Sequence, residues 1–409
     1  MASLSSTLGH DTRVLSLICT GHFMSHYSQL VLPPLFILMQ TDYNVSFAAL
    51  GLVITLINAS GAIAQLPIGF LVDRLGAKKI LITGLLIKTF AIGAMALTSS
   101  YEMLLLLAVI AGLGHAVFHP ADYSILMSSI DERRIGKAFS IHTASGTAGT
   151  AAGPIAIVLI AEFWDWKVAV LSVALLGAIT GFAMILQGNI IHDHIGRKKK
   201  NESARKGLGI IEGIALLTQP RFLILYLFFL TTAMISIGLN AFTVTSLVKL
   251  YGTPLVAAGA ALTTFASAGV VGVLCGGILA DKTDRHNLIA AFAFGLSAIV
   301  TVYMASNELH HIAILCCFAI IGWLLGIVRP ARDMMVRAVT PEGNAGKVFG
   351  FMSTGHLVGG VIVPVLYGWI IDQGEVQWIF WITALLMVIA MLSLFNPVRS
   401  NGTKSTKSE

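Results

Sequence analysis

Four histidines stand in two pairs, His22 with His26 and His115 with His119, each pair four residues apart inside a long apolar stretch. That spacing puts both imidazoles of a pair on one helix face. Asp122 follows His119 by three residues, within reach of sharing its proton. A second charged set, Arg329, Arg332 and Asp333, lies in a later apolar stretch, and His142 and His356 add two further imidazoles. Ionisable groups in a lipid-embedded segment cost on the order of a few kcal/mol each, so each requires a partner or a task. Three chemistries fit. His119, Asp122, His115, His22 and His26 have the types needed to bind and pass protons near neutral pH. The two H-x-x-x-H pairs, His22/His26 and His115/His119, also match chelation of a transition metal or metal complex. The third reading is structural, with each imidazole bonded to a backbone carbonyl of a neighbouring helix.

Arg329 and Arg332 are permanent cations with a planar donor fork, suited to a carboxylate or phosphonate. With them, Tyr27, His26, His115, His142, Asn240 and His356 form the expected substrate-contacting set. The alternative for the arginines is pairing with Asp333 or Asp122 as an inter-helix tie. Lys88 has no evident partner and is expected to snorkel toward a membrane surface.

The elements that must position these residues follow from composition. Hydrophobic residues make up 56% of the 409 residues and charged residues 11%, and mean hydropathy is +0.84. Soluble domains carry about a quarter charged residues, so this is a polytopic membrane protein. Its net charge of +6 is spread over short loops and is no nucleic-acid footprint. Cys19, Cys275, Cys316 and Cys317 all fall in apolar runs and read as small buried hydrophobes. No signal peptide is visible at the N-terminus.

Apolar runs long enough to cross a bilayer occur near 13–40, 46–72, 79–98, 103–128, 136–161 and 167–188, then near 222–250, 254–280, 287–306, 310–336, 348–371 and 376–395. The expected fold is therefore all-α: an N-terminal six-helix bundle (1–188), a polar connector (189–219), a C-terminal six-helix bundle (220–396) and a tail (397–409). The halves are copies. Pro120-Ala121 returns as Pro330-Ala331, an offset of 210, and Gly136-Lys137-x-Phe139, Gly149 and Pro154 return as Gly346-Lys347-x-Phe349, Gly359 and Pro364. Duplicated membrane halves build a central binding site between them. At this offset His119 aligns with Arg329 and Asp122 with Arg332. Arg13, Arg74, Lys78, Lys79, Arg133, Arg134 and the connector's basic cluster fall on one side, with Lys167 and Lys249 on the other. The basic side is therefore expected to be cytoplasmic, with both termini on it.

Gly69-Phe-Leu-Val-Asp73-Arg74-Leu-Gly76-Ala-Lys78-Lys79 closes the second span, and Gly277-Ile-Leu-Ala-Asp281-Lys282-Thr-Asp284-Arg285 closes the eighth. Both resemble the G-x-L-x-D-R-x-G-x-K/R-K/R loop of the major facilitator superfamily. Gly146-Thr-Ala-Gly149-Thr-Ala-Ala-Gly153-Pro154 is similar to that family's glycine-proline motif of antiporters. Gly21-His22 through Pro33-Pro34 and Val117-Phe118-His119-Pro120 resemble the fosmidomycin-resistance branch, which also has a histidine early in its first span and an F-H-P in its fourth. Members of that branch usually carry an acidic residue where this chain has His26, so a carboxylate coupling site does not carry over to that position.

The resemblance implies twelve spans around one cavity and secondary active transport by alternating access. Asp73, Arg74, Asp281, Lys282 and Arg285 would hold the cytoplasmic side closed when the protein faces outward. A proton-coupled small organic solute, anionic given the arginines, is the expected cargo. The alternatives are drug or antimetabolite efflux and carriage of a transition metal or chelate. No nucleotide-binding P-loop is present. No resident cofactor and no enzymatic activity are expected, and the chain is read as a monomer in a bacterial inner membrane.

Overall fold

The computed structural model describes residues 2–191, 218–340 and 345–395. Among them every regular element is helical. The first half holds α1 (Ala2–Tyr27), α2 (Phe36–Tyr43), α3 (Phe47–Leu75), α4 (Ala77–Leu97), α5 (Tyr101–His115), α6 (Phe118–Ser129), α7 (Ile135–Phe163) and α8 (Trp166–Leu186). The second holds α9 (Pro220–Tyr251), α10 (Leu255–Lys282), α11 (His286–Ser306), α12 (His311–Val339), α13 (Ala345–Asp372) and α14 (Gln377–Ser393). Ten stretches are long and apolar enough to cross a membrane. The eleventh crossing is α14, an apolar helix of 17 residues, and the remaining one is the composite of α1 and α2. Most of the expected connector, with its basic cluster, and the tail lie outside the described residues.

Two of the expected continuous spans are interrupted, and prolines account for both breaks. The first gives way to short 3₁₀ turns at Ser28–Leu30 and Pro33–Leu35, because Pro33 and Pro34 supply no amide hydrogen to the preceding turn. The fourth loosens at Ala116–Val117, between α5 and α6, four residues ahead of Pro120. Gly76 turns the chain from α3 into α4 with φ 93°, a backbone conformation open to glycine at little cost.

The packing shows which side of the molecule is closed. On the side away from the basic loops, one apolar core runs through both halves, joining Phe36, Phe47, Leu50 and Ile54 to Phe242, Val363, Tyr367 and Ile371. There α3 packs on α13 and α7 on α10. Gly51 and Gly368 let the α3 and α13 backbones touch, Thr55 donates to the Val361 carbonyl at 2.9 Å, and the Ile155 amide donates to Thr263 at 3.1 Å. On the basic side each half keeps its own core, one around Leu81, Phe118 and Ile125, the other around Phe222, Val336 and Met352. The halves are therefore sealed together on the opposite side and apart on the basic side.

Candidate functional site

The sequence repeat is also a repeat of exposure. Residues 111–120 and 321–330 show the same order of buried, half-buried and exposed positions, so that Leu113 and Trp323, then His119 and Arg329, are exposed in step. Each exposed polar position follows three buried residues, 116–118 and 326–328. An imidazole and a guanidinium at matching places in lipid would be costly. Both stand toward the basic side, where each half keeps its own core.

Behind His119 lies a buried polar cluster. Asp122 on α6 is 0% exposed, His22 on α1 is 4% and His142 on α7 is 1%. One carboxylate oxygen, Oδ2 of Asp122, accepts from His22 Nδ1 at 3.1 Å and from His142 Nε2 at 3.0 Å. The two imidazoles stack, with centroids 3.7 Å apart. The other oxygen, Oδ1, and His142 Nδ1 have no hydrogen-bond partner. This trio, one carboxylate and two imidazoles, becomes neutral on binding a single proton. Gly146 makes the packing possible: a Cβ there would lie 2.6 Å from His22 Nε2 and 2.8 Å from the His26 ring. His26 sits 4.8 Å from His22, centroid to centroid, and its Nδ1 meets the Thr150 hydroxyl at 3.3 Å. His119 is 5.8 Å from His22 and 6.5 Å from His26 and forms the exposed edge of the group.

Several expectations change here. Asp122 shares its oxygen with His22 and His142, not with His119. His142, expected to touch substrate, belongs to the buried trio. His115 turns its Nδ1 to Lys88 Nζ at 3.2 Å. Lys88 does not snorkel. It is 3% exposed and donates to the Ser25 carbonyl at 2.6 Å. Tyr27 is buried in the core, stacked on Phe23. Of the cysteines only Cys317 is buried; Cys316 is exposed and Cys19 and Cys275 are half-buried.

The metal reading also moves. Among the described residues, the group that converges well enough to hold an ion is His22, Asp122 and His142, with ligand atoms within 4.8 Å of one another. The H-x-x-x-H pairs do not form that set. Structural metal-bound histidines donate their second nitrogen to a further acceptor, and His142 Nδ1 has none. The donor set therefore fits a proton better than a metal.

The second half presents cations. Arg329 and His356 are exposed, and Arg332 is half-buried with its guanidinium 5.0 Å over the Phe229 ring. Arg332 Nε donates to Asp333 at 2.9 Å, so the tie runs to its sequence neighbour and not to Asp122. His356 lies within electrostatic reach of both arginines. Asn240 on α9 donates to the Ser236 carbonyl at 2.7 Å, and its Oδ1 is left unpartnered. Asp73, Arg74, Asp281, Lys282 and Arg285 are at the ends of α3 and α10 on the open side, where none of them makes an ion pair among the described residues.

Two contacts carry no sequence signal of their own. Asp372, at the end of α13, accepts from the Phe47 amide at 2.7 Å and the Ala48 amide at 2.9 Å, bridging the halves on the closed side. Asp11 pairs with Arg134 at 2.8 Å and fastens α1 to the turn before α7.

The model of the Major Facilitator Superfamily matches residues 18–320 and 258–409. The chain belongs to this superfamily. Like its other members it is an integral membrane transporter. Among curated relatives it is similar to the fosmidomycin resistance protein of Escherichia coli (strain K12), 25% identical over 386 residues, 94% of this chain and 92% of that one. It is also similar to the multi-drug resistance efflux pump PmrA of Streptococcus pneumoniae, 26% identical over 395 residues, 93% and 94% of the two chains. Among solved structures, a bacterial homolog of the human lysosomal transporter Spinster, in an inward-facing and unoccupied conformation, superposes with TM-score 0.78 at 17% identity over 94% of this chain and 96% of that one. A mutant of the nucleoside transporter NupG gives TM-score 0.74 at 16% identity over 95% and 98%. These likenesses establish the facilitator fold over nearly the whole chain.

Proposed function

We propose that this facilitator couples the movement of protons to that of a small organic anion, with the proton held by Asp122, His22 and His142 and the anion by Arg329, Arg332 and His356. The observation that carries this reading is the fully buried Asp122 carboxylate between two imidazoles, set at the repeat position that holds a permanent cation in the other half. A proton on the trio changes the charge of one wall by one unit, while the arginine wall keeps its charge. An anion entering from the open side meets Arg329 and His356 first. His119 and His26 offer a path from that same water to the trio.

The basic side is assigned to the cytoplasm of a bacterial inner membrane, and the state described is then open inward. Residues 1–188 and 220–396 act as the two rocking bodies of a monomer. Asp73 and Arg74, with Asp281, Lys282 and Arg285, close the cytoplasmic side in the other half of the cycle. The named relatives favour export of antimetabolites as the direction, so fosmidomycin, a phosphonate, is the first probe.

The test is pH-gradient-driven flux of fosmidomycin in proteoliposomes. Asp122→Asn is expected to abolish the response to the gradient while the protein stays folded. Arg332→Gln is expected to raise KM about tenfold, the loss of about one charge-assisted bond. Wild-type flux that ignores the gradient would remove the proton from the reading. An unchanged KM in Arg332→Gln and Arg329→Gln would remove the anion.

A further inference from the structure

Lys88 is the buried charge that this scheme leaves unused. Its ammonium is 3% exposed, midway along α4, and no carboxylate lies within ion-pair distance among the described residues. What surrounds it is two helix ends. Ser25 belongs to the last turn of α1 before the 3₁₀ break, and His115 is the last residue of α5. Helix C-termini carry partial negative charge, and broken membrane helices use such ends to hold cations. Gly114 brings the two sides together, since a Cβ there would lie 2.6 Å from the Lys88 amide nitrogen. Beside the pair is a cavity of about 20 Å³ lined by Ser28, Gln29, Ile54, Ile92, Lys88 and His115, room for about one water molecule.

Depth sets this pair apart from the Asp122 trio. Lys88 is nine residues before the Leu97 end of α4, about 14 Å from the closed side. His142 is 21 residues before the Phe163 end of α7, about 32 Å from that side. His26 and His119 occupy the levels between, their ring centroids 4.8 and 5.8 Å from that of His22 in the trio. The titratable groups thus form a ladder up the first half, with the trio at the open end and Lys88–His115 at the closed end.

We propose that Lys88 and His115 form a second proton-exchange site, which serves the opposite side of the membrane when the halves part there. The proposal rests on the proton-coupled reading above. In the exchange, a Lys88 Nζ–H bond breaks and a His115 Nδ1–H bond forms, leaving a neutral amine and an imidazolium. When the halves part on the closed side, the imidazolium gives its Nε2 proton to the water admitted there, and the reverse sequence reloads the site. The groups that face Lys88 are the Ser25 carbonyl and His26 from α1 and His115 from α5, with the Phe118 ring of α6 at 5.8 Å. The α3 residues that line the cavity beside it, Ile54 and Ile57, are apolar. At the neighbouring turn, Gly177 of α8 presents only backbone to Thr89.

A fixed counter-ion for two helix ends and a proton-exchanging one predict different things for arginine. Nitroxides on Ser99 and Asn307, exposed on the opposite side of each half, report whether that side is open, in a background with the four native cysteines replaced by alanine. Between about pH 6 and pH 8 the wild-type ratio of open to closed populations is expected to change about tenfold. Lys88→Arg, a charge that cannot leave, is expected to lose this response. Lys88→Ala is expected to lose it too and to regain it with added ethylamine but not with guanidinium. A pH response that survives Lys88→Arg, or a guanidinium rescue equal to that of ethylamine, makes Lys88 a static counter-ion and overturns the proposal. If arginine does not fit the pocket and the chain fails to fold, the alanine arm decides alone. A wild type without any pH response sinks the coupled reading itself. A wild type that responds, an Asp122→Asn that does not and a Lys88→Arg that does sink this proposal only.

Discussion

Removing the Asp372 carboxylate should open the sealed side. An acid in the last position of α13 is ill-placed with respect to its own helix, whose C-terminus is the negative end. The first two amides of α3, in the other half, offset this by donating to its two oxygens at 2.7 and 2.9 Å. Ser46 takes the Ala49 amide at 3.1 Å, so three of the free donors at the start of α3 are satisfied, two of them from across the seam. A hydrogen bond to an ionised group contributes about 1.5–3 kcal/mol. Asp372 is exposed, so solvent screening reduces the pair to about 2 kcal/mol in total. Those bonds exist only while the halves are shut on this side. Asp372→Ala should therefore raise the population open on this side about thirtyfold. Distances between nitroxides on Ser99 and Asn307 measure that population directly. Asp42→Ala is the matched control, because Asp42 bonds Trp166 Nε1 at 2.8 Å and Lys167 at 3.4 Å within a single half. If Asp372→Ala leaves the distance distribution unchanged, or Asp42→Ala shifts it equally, the seam is not held by this carboxylate.

Two further substitutions follow from close approach, and a third at an open position serves as their control. Gly51→Ala would drive a Cβ into the Pro364 carbonyl across the seam, so the same spin-label pair should again report opening. Gly69→Ala, with nothing within 4 Å of its added carbon, is the control and should leave the spin-label distances unchanged, with stability equal to wild type or raised by up to about 1 kcal/mol because alanine suits a helix interior better than glycine. Gly146→Ala should push the His22 and His26 rings away from α7 and lower thermal stability by about 1–3 kcal/mol through overpacking, measured by melting in detergent. A melting temperature unchanged in Gly146→Ala would mean that the imidazoles are not packed against α7 as described.

The parts of this architecture that depend on pattern were readable from the chain alone. Apolar runs marked the spans, and the offset between Pro120 and Pro330 marked the two halves. Partners set by the rotation of one helix against another were not readable. His119 and Asp122 are three residues apart, which leaves about 60° between their directions on a helix. At the rim of a hollow that angle is enough to expose one and bury the other, so Asp122 finds His22, 100 residues away, and His142 on the next span. Lys88 shows the same limit: its acceptor lies 63 residues off and is a backbone carbonyl, which no side-chain pattern announces. Asp372 binds amides 325 and 324 residues away for a similar reason. Cys19, Cys275 and Cys316 lie in apolar runs and are still half-buried or exposed, because an apolar neighbourhood in the sequence includes the faces of a helix turned to lipid.

The two halves keep one backbone plan and divide the chemistry between them. Where the exposure of 111–120 is repeated in 321–330, His119 is replaced by Arg329; Asp122 becomes Arg332, and Gly146 becomes His356. Gly146 is the residue whose missing side chain lets His22 and His26 crowd α7, so filling that position in the second half removes the room for an equivalent buried trio. A transporter with matching titratable sets in both halves would gain and lose charge on both walls together. In the proposed scheme the buried carboxylate–imidazole trio belongs to the first half alone, so a proton bound there would alter the field felt by an anion while the arginines opposite keep their charge. On that proposal, the asymmetry between the copies would let proton binding on one wall change the affinity of the other.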